Sequence, residues 1–528
     1  MTSPERFCVH YLITVRDGRS IEEHARDISI EQTVELPEDV IPVSHHRDGL
    51  VGRIETVSAA AETDAFAVTI SYRCDITAFT VPQLLNVLFG NISLKDNIRL
   101  TGLDLPPGLL EALGGPRYGI DGLRRLTGVY SRPLACTPIK PMGLPVNELA
   151  QLASDFARGG ADLIKDDHGI TDQAFHRFDE RVARCQEAVD NANASTGRNT
   201  LYFPMLAGRF DQVDAQARTA VRLGVRGVLV GPLLVGCDIV RHLSREYGLA
   251  VMTHPALTGT FFHDRRHGMA PSVLLGTLFR LIGADISIFP NAGGRFHFSH
   301  SECQELATAL RAPLPGIAAA FPSPAGGMNL QRLPEMATDF GADSVFLVGG
   351  DVLRQKDRVA ATRSFVDGIR AIFGENLQPV EREAVSACEW QGGGDNDRDV
   401  QDVLHCSDYH WHDRPVVDYK PDQTLPFVGV ARHELIGRYG EQTAFDLRYF
   451  EIAPGGYTSL EKHVHEHVII GVRGSGTLRM NGKELAIGLH DVAYVAPLQP
   501  HQIHNPGSEP FGFFCIVDRQ RDKPQPVF

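Results

Sequence analysis

A lysine, two carboxylates and an imidazole occupy consecutive positions, Lys165-Asp166-Asp167-His168, within the run Gly159-Gly160-Ala161-Asp162-Leu163-Ile164-Lys165-Asp166-Asp167-His168-Gly169. The apolar residues before them read as a short buried strand, so the polar group stands where strand gives way to loop. In barrel enzymes that is where the chemistry is kept. A buried lysine amine can shuttle protons near neutral pH. As a carbamate formed with carbon dioxide, it becomes an anionic oxygen ligand suited to Mg2+, with carboxylates such as Asp167 beside it. Read alone, the run is equally a polar strand-to-loop turn. A second group has different chemistry: Glu461, His463, His465 and His467 are spaced two apart, and residues so spaced share one face of a strand. They form a mixed histidine and carboxylate set suited to Fe2+, Mn2+, Ni2+ or Zn2+.

The elements that must position these groups differ along the chain. From about Phe7 to Leu126, strand-like alternations at 8–15 and 65–72 and helical stretches at 21–30 and 81–89 predict a small α+β domain, given bounds 1–128. Short apolar strands followed by helical stretches then recur at 134–137, 163–165, 200–203, 227–230, 250–253, 286–289, 317–320 and 344–347. Eight such units match a (β/α)8 barrel over 129–376. The stretch 377–408, with Gly392-Gly393-Gly394-Asp395-Asn396-Asp397 at its centre, is linker-like in composition. Strand-sized alternations over 409–528, with turns expected at 454–456, 473–476 and 481–482, predict an all-β barrel.

Composition narrows the partners. The 528 residues carry a formal charge of -14 without any block of Lys or Arg, which argues against nucleic-acid and anionic-membrane surfaces. An anionic substrate must then be held by local donors. Nine scattered cysteines without a close pair, and the lack of a secretory or membrane-spanning stretch, point to a cytoplasmic protein.

Five co-linear pieces resemble the large subunit of ribulose-bisphosphate carboxylase, in its non-carboxylating RuBisCO-like branch: the Lys165 run, Met252-Thr253-His254-Pro255, 289–296, 324–328 and 346–350. The carboxylase motif Lys-x-Asp-Glu is matched at Lys165 and Asp167, with His168 in the glutamate position. In Lys140-Pro141-Met142, one of two family lysines is kept as Lys140, a candidate general acid/base. The resemblance also places His254 and His267 at family histidines, and Arg295 at the loop-six lysine that holds carbon dioxide in carboxylases. Pro255 and Ala270 replace family phosphate-site residues. Together with Met142, His168 and Arg295, these departures exclude ordinary carboxylation. Gly326-Gly327 and Gly349-Gly350 follow the last two strands, where bare backbone N–H groups can meet one phosphate. Glu31 and Asn91 align with residues that family members contribute across a subunit interface, which implies a homodimer with a shared active site. Residues 448–519 resemble a cupin, whose ligand stations fall on Glu461, His463, His467 and His501, with His465 the alternate.

The resemblance implies an enzyme, an isomerase or carbon–carbon lyase, that enolises a singly phosphorylated ketose or oxo-acid sugar. A methylthioribulose-phosphate-type isomerase fused to a metal cupin performing the consecutive step ranks first, the cupin releasing the sulfur group. Two alternatives stand beside it: a 3-oxo sugar-acid phosphate decarboxylase with an accessory cupin, and a catalytically quiet sugar-phosphate-binding protein with a sensory cupin.

Overall fold

The computed structural model describes residues 5–375, 404–411, 414–419, 426–439, 441, 443, 445–463, 465–480, 482–518 and 525–526. These divide into two compact units, one before and one after the stretch 376–403. Most of the expected linker, 377–408, therefore lies outside the described residues.

The first unit begins with a five-stranded sheet ordered Gly268–Met269, Ile98–Asp104, Arg6–Thr14, Ala65–Arg73, Arg53–Ala59. Alternation decides its faces: Phe7, Val9, Tyr11 and Ile13 are buried while the residues between them are half-exposed. Helices Ile21–Glu31 and Val81–Phe89 contribute buried apolar residues to the same core. Ser20 and Glu23 form a reciprocal cap that starts the first helix. Tyr11 ties the second to the sheet by donating to Leu88 O at 2.8 Å.

Eight parallel strands follow: Leu134–Ile139, Leu163–Asp166, Leu201–Phe203, Gly227–Val230, Ala250–Thr253, Ile286–Pro290, Phe321–Ala325 and Val345–Leu347. Strands eight, one, two and three form one continuous ladder and strands four to seven another. A bridge between Met205 and Leu229 joins the two ladders on one side. On the other side strands seven and eight run alongside without a ladder. Phe321 N–H donates to Asp285 O on the strand-six side, so Pro322 and Pro324 occupy the alternate positions that would face strand eight, and proline has no N–H to give.

The seventh strand corrects the expectation, since Ile317–Ala320 is not a strand. The carbonyls of Ile317 and Ala318 accept from Arg280, and Ala319 O accepts from Ile120 N, so this apolar run seals the barrel floor against the helix Gly119–Thr127. Asp285 completes the seal by accepting from the N–H groups of Tyr118, Gly119 and Val251. Above that floor the interior is apolar, including Leu134, Leu163, Phe203, Leu229, Met252 and Ile288. Each such fully buried side chain stabilises the fold by about 1.5–3 kcal/mol. With the floor closed and filled, the polar strand ends are left at the opposite mouth.

The second unit is an antiparallel barrel built on the long strand Phe445–Tyr457, which pairs with Val428–Ile436 and Phe511–Asp518. Phe450, Ile452, Ile469, Leu478, Ile503, Phe511 and Phe513 fill it. The turn expected at 454–456 is instead a bulge within this strand. Gly455 takes φ +76°, and both Gly455 N and Gly456 O pair with the Asn505 backbone. The histidine-rich run is also not one strand. Pairing covers Glu461–Lys462 and resumes at His467–Arg473, so strict alternation does not orient the residues between.

Candidate active site and metal centre

The C-terminal ends of the barrel strands open on a cavity of about 1030 Å³. Its lining includes Lys140, Lys165, Asp167, His168, His254, Arg295, Gly326, Gly327, Gly349 and Gly350. Three other expected site residues do not line it. His267 immediately precedes the short strand Gly268–Met269 that pairs with Ile98–Asp104; its ring lies 5.5 Å from Phe89 and its Nε2 3.1 Å from Ser93 O, so that pairing draws it to the join of sheet and barrel. Glu31 and Asn91 meet each other in the N-terminal domain, Asn91 Nδ2 donating to Glu31 Oε1 at 3.1 Å, with Lys95 3.2 Å from Glu31 Oε2.

The two carboxylates after Lys165 diverge. Asp166 is fully buried and turns away from the cavity, accepting from Tyr202 Oη at 2.7 Å, Met205 N at 3.0 Å and Arg181 Nε at 3.3 Å. Lys165 Nζ donates to Asp166 O at 3.0 Å, and burial pushes its pKa down. Asp167 faces the cavity, 3.9 Å from Lys140 Nζ and 3.7 Å from His168 Nδ1. The His168 imidazole, then the two lysines, hold its carboxyl at about 2 against the effect of burial.

His254 stacks on His168 with ring centroids 4.3 Å apart. Burial, then the charges of Lys165 and His168, push its pKa down to about 3, so the ring is neutral. Its Nδ1 accepts from Ala256 N at 3.1 Å, which leaves the proton on Nε2 and makes His254 a hydrogen-bond donor rather than a base.

Loops seven and eight supply backbone. Gly326 and Gly327 adopt φ of +90° and +91°, a region glycine enters at no steric cost, and Gly326 O accepts from Arg295 N, joining loop six to loop seven. Asp351 accepts from Leu330 N at 3.1 Å and joins loop seven to loop eight. Sequence reasoning missed Arg354, Asp351, Arg265, Glu302, Phe262 and Phe298, which also line the cavity. They belong to loops and helix starts that carry no periodic signal; only nearness to a recognised motif could have marked them. Five basic side chains (Lys140, Lys165, Arg265, Arg295, Arg354) face three acids (Asp167, Glu302, Asp351), which gives an acidic chain a locally cationic cavity. Within the same cavity lining, Phe262 meets Phe298 edge-on at 5.5 Å and Glu302 pairs with Arg265 at 3.3 Å.

Mg2+ takes hard oxygen ligands. With Lys165 as an amine, the trio Lys165, Asp167 and His168 offers one carboxylate and one imidazole beside the amines of Lys165 and Lys140, and does not fit that ion.

In the second unit His463, His467 and His501 bring one ring nitrogen each within 4.8 Å of one another. His463 Nδ1 donates to His465 O at 2.6 Å and His501 Nδ1 to Gln499 O at 2.9 Å, which sets each Nε2 as a lone-pair donor. Burial first, with the neighbouring imidazoles adding to it, lowers His463 to about 4 and His467 to about 2. Neutral imidazoles with converging lone pairs fit a divalent transition ion. Glu461 and His465 stand outside this trio. Glu461 pairs across the ladder with His501 and accepts from Ser459 Oγ at 2.5 Å, while His465 stacks on His463 at 3.7 Å.

Residues 119–295 match the ribulose bisphosphate carboxylase large chain catalytic domain, and residues 448–517 match the cupin domain. The chain is 42% identical over 353 residues to the 5-methylthioribulose-1-phosphate isomerase of Rhodospirillum rubrum, covering 66% of this chain and 92% of that protein. It is 30% identical over 377 residues to the 2,3-diketo-5-methylthiopentyl-1-phosphate enolase of Geobacillus kaustophilus, covering 68% and 91%. Among solved structures, the Rubisco-like protein from Rhodopseudomonas palustris superposes with a TM-score of 0.63 at 40% identity, over 71% of this chain and all of that one. The chain belongs to the RuBisCO-like branch of the RuBisCO large-chain family and carries a C-terminal cupin domain.

Proposed function

We propose that the barrel enolises a singly phosphorylated ketose of the methylthioribulose phosphate type and returns the proton to the neighbouring carbon, with no carbon dioxide fixation. The observation that carries this reading is the convergence of Lys165 and Asp167 with the glycine pairs of loops seven and eight on one cavity. In this reading the phosphate sits on the N–H groups of those loops, with Arg354 and Arg295 as counter-charges. Lys165, its basicity tuned by burial, takes the proton beside the ketone. Lys140 and the Nε2–H of His254 donate to the oxygen on which charge develops. Reprotonation of the adjacent carbon completes an isomerisation without loss or gain of atoms. The relative named as a methylthioribulose phosphate isomerase supports this outcome over decarboxylation.

The aromatic part of the lining supports an uncharged substituent. Phe262 and Phe298 present aromatic surface, which attracts thioether sulfur, and Arg265 is already paired with Glu302. The cupin trio would hold a divalent transition ion, which would polarise a bound oxygen of the product for the consecutive step. Glu31 and Asn91 are assigned to the partner's site in a dimer, and the domains to 1–128, 129–376 and 409–528.

The test is incubation of the full chain with a panel of phosphorylated ketoses in D2O, read by NMR. Deuterium at the carbon beside the ketone together with an isomeric product supports the reading. Binding without exchange would make the barrel a sugar-phosphate-binding module, and carbon dioxide release would make it a decarboxylase.

A further inference from the structure

The three imidazoles of the cupin trio are held from behind in two different ways. His463 and His501 each give their Nδ1 proton to a backbone carbonyl. His467 is held by a side chain, its Nδ1 lying 3.2 Å from Cys515 Sγ. The sulfur is buried, on the strand Phe511–Asp518 that pairs with the strand beginning at His467. From the opposite neighbour, Arg448 stands across the ladder from Cys515 and its guanidinium reaches the same sulfur at 3.2 Å.

We propose that Cys515 is a positioning residue for the cupin metal, acting through His467; this rests on the trio being a metal site. Coordination through Nε2 obliges His467 to carry its proton on Nδ1, and a buried N–H left without an acceptor is destabilising. Cys515 Sγ is the acceptor placed there. Arginine has no lone pair to offer, so its contact with the sulfur is also one in which the sulfur accepts. The sulfur therefore stands between two donors, one fixing it and the other fixed by it. This is the outer-shell role that carboxylates and carbonyls commonly fill behind metal-bound histidines. The sequence carried no sign of it, because position 515 is remote from both cupin motifs and reads as an ordinary core residue.

The test is Co2+ titration of the full chain, followed by its visible absorption and by calorimetry, with His467→Ala defining binding outside the trio. Cys515→Val removes the acceptor at similar volume, and Cys515→Ser keeps one. The expected result is a 10- to 100-fold weaker Co2+ affinity in Cys515→Val, with most of the loss recovered in Cys515→Ser. Wild-type affinity in Cys515→Val overturns the inference. So does equal weakening in both variants, since packing alone would then account for the loss. A wild-type chain that binds no more Co2+ than His467→Ala refutes the metal reading itself, a result distinct from either.

Discussion

Gly349→Ala is the sharpest probe of the loop-eight backbone. A Cβ built at this position meets Pro138 Cγ at 2.8 Å and Cδ at 3.0 Å, and Lys140 Cε at an ordinary 3.6 Å. Carbon atoms at rest sit ~3.5 Å or more apart, so the methyl is about 0.7 Å too close to the proline ring. Pro138 cannot retreat, because it is in register with Lys165 in the ladder between strands one and two. Val348 N, which donates to Cys136 O, also holds loop eight to strand one. Loop eight itself must therefore shift, at about 1–3 kcal/mol of stability. A displacement of that size in a positioning loop reduces kcat/KM by roughly 10- to 100-fold, the order expected for misplacement near 1 Å. Gly350→Ala is the control: its Cβ meets nothing within 4 Å, and the N–H is kept. The assay is steady-state kinetics with inorganic phosphate as competitive inhibitor. KM and the phosphate inhibition constant rise in Gly349→Ala and stay near wild type in Gly350→Ala. Unchanged phosphate inhibition in Gly349→Ala, or equal damage from both variants, would refute the assignment of these amides to phosphate.

Asp166→Ala leaves the fully buried Arg181 without its carboxylate, a loss of about 3–5 kcal/mol measurable as a lower urea midpoint; a midpoint within error of wild type would contradict the buried pair. If the aromatic pair receives the sulfur as proposed, Phe298→Ala raises KM for a thioether substrate more than for its hydroxyl analogue; equal changes for both would remove the aromatic pair from substrate selection. His254 stays neutral in the fold down to about pH 3 while the unfolded chain's histidine takes up a proton below its ordinary value of 6.5, so folding stability falls as pH drops through that window. Asp285, raised by burial to about 6, contributes the opposite slope between there and 3.8, so the comparison is with His254→Phe, which loses less stability than wild type between pH 6.5 and 4. Parallel denaturation curves in the two proteins would contradict the assigned His254 environment.

How much of this was legible in the sequence follows from what each residue is asked to do. The Lys165 run could be read because an apolar strand must end where charge begins, and the loops after strands seven and eight because paired glycines mark exposed backbone. Strand seven could not, since Phe321–Ala325 carries two prolines while the preceding run at 317–320 has the apolar content of a strand. Only the tertiary contacts of Arg280 and Ile120 decide between them. His267 matched a family position but is drawn aside by a two-residue pairing too short to leave any periodicity. Arg354 and Arg265 reach the cavity from loops where no pattern constrains a side chain. In the cupin, alternation nominated Glu461, His463, His465 and His467 together, but the break in the strand separates His465 from the trio. Its role there is a backbone carbonyl, which no side-chain pattern can reveal.

The central claim is that Lys165 is the proton-abstracting group of a cavity that holds substrate by its phosphate. It is tested most directly by the rate of substrate C–H exchange with D2O in Lys165→Met, measured at substrate saturation. Methionine fills nearly the same buried space without an amine. Exchange reduced by about 100- to 10,000-fold with phosphate inhibition intact is the predicted result; exchange at the wild-type rate would contradict it.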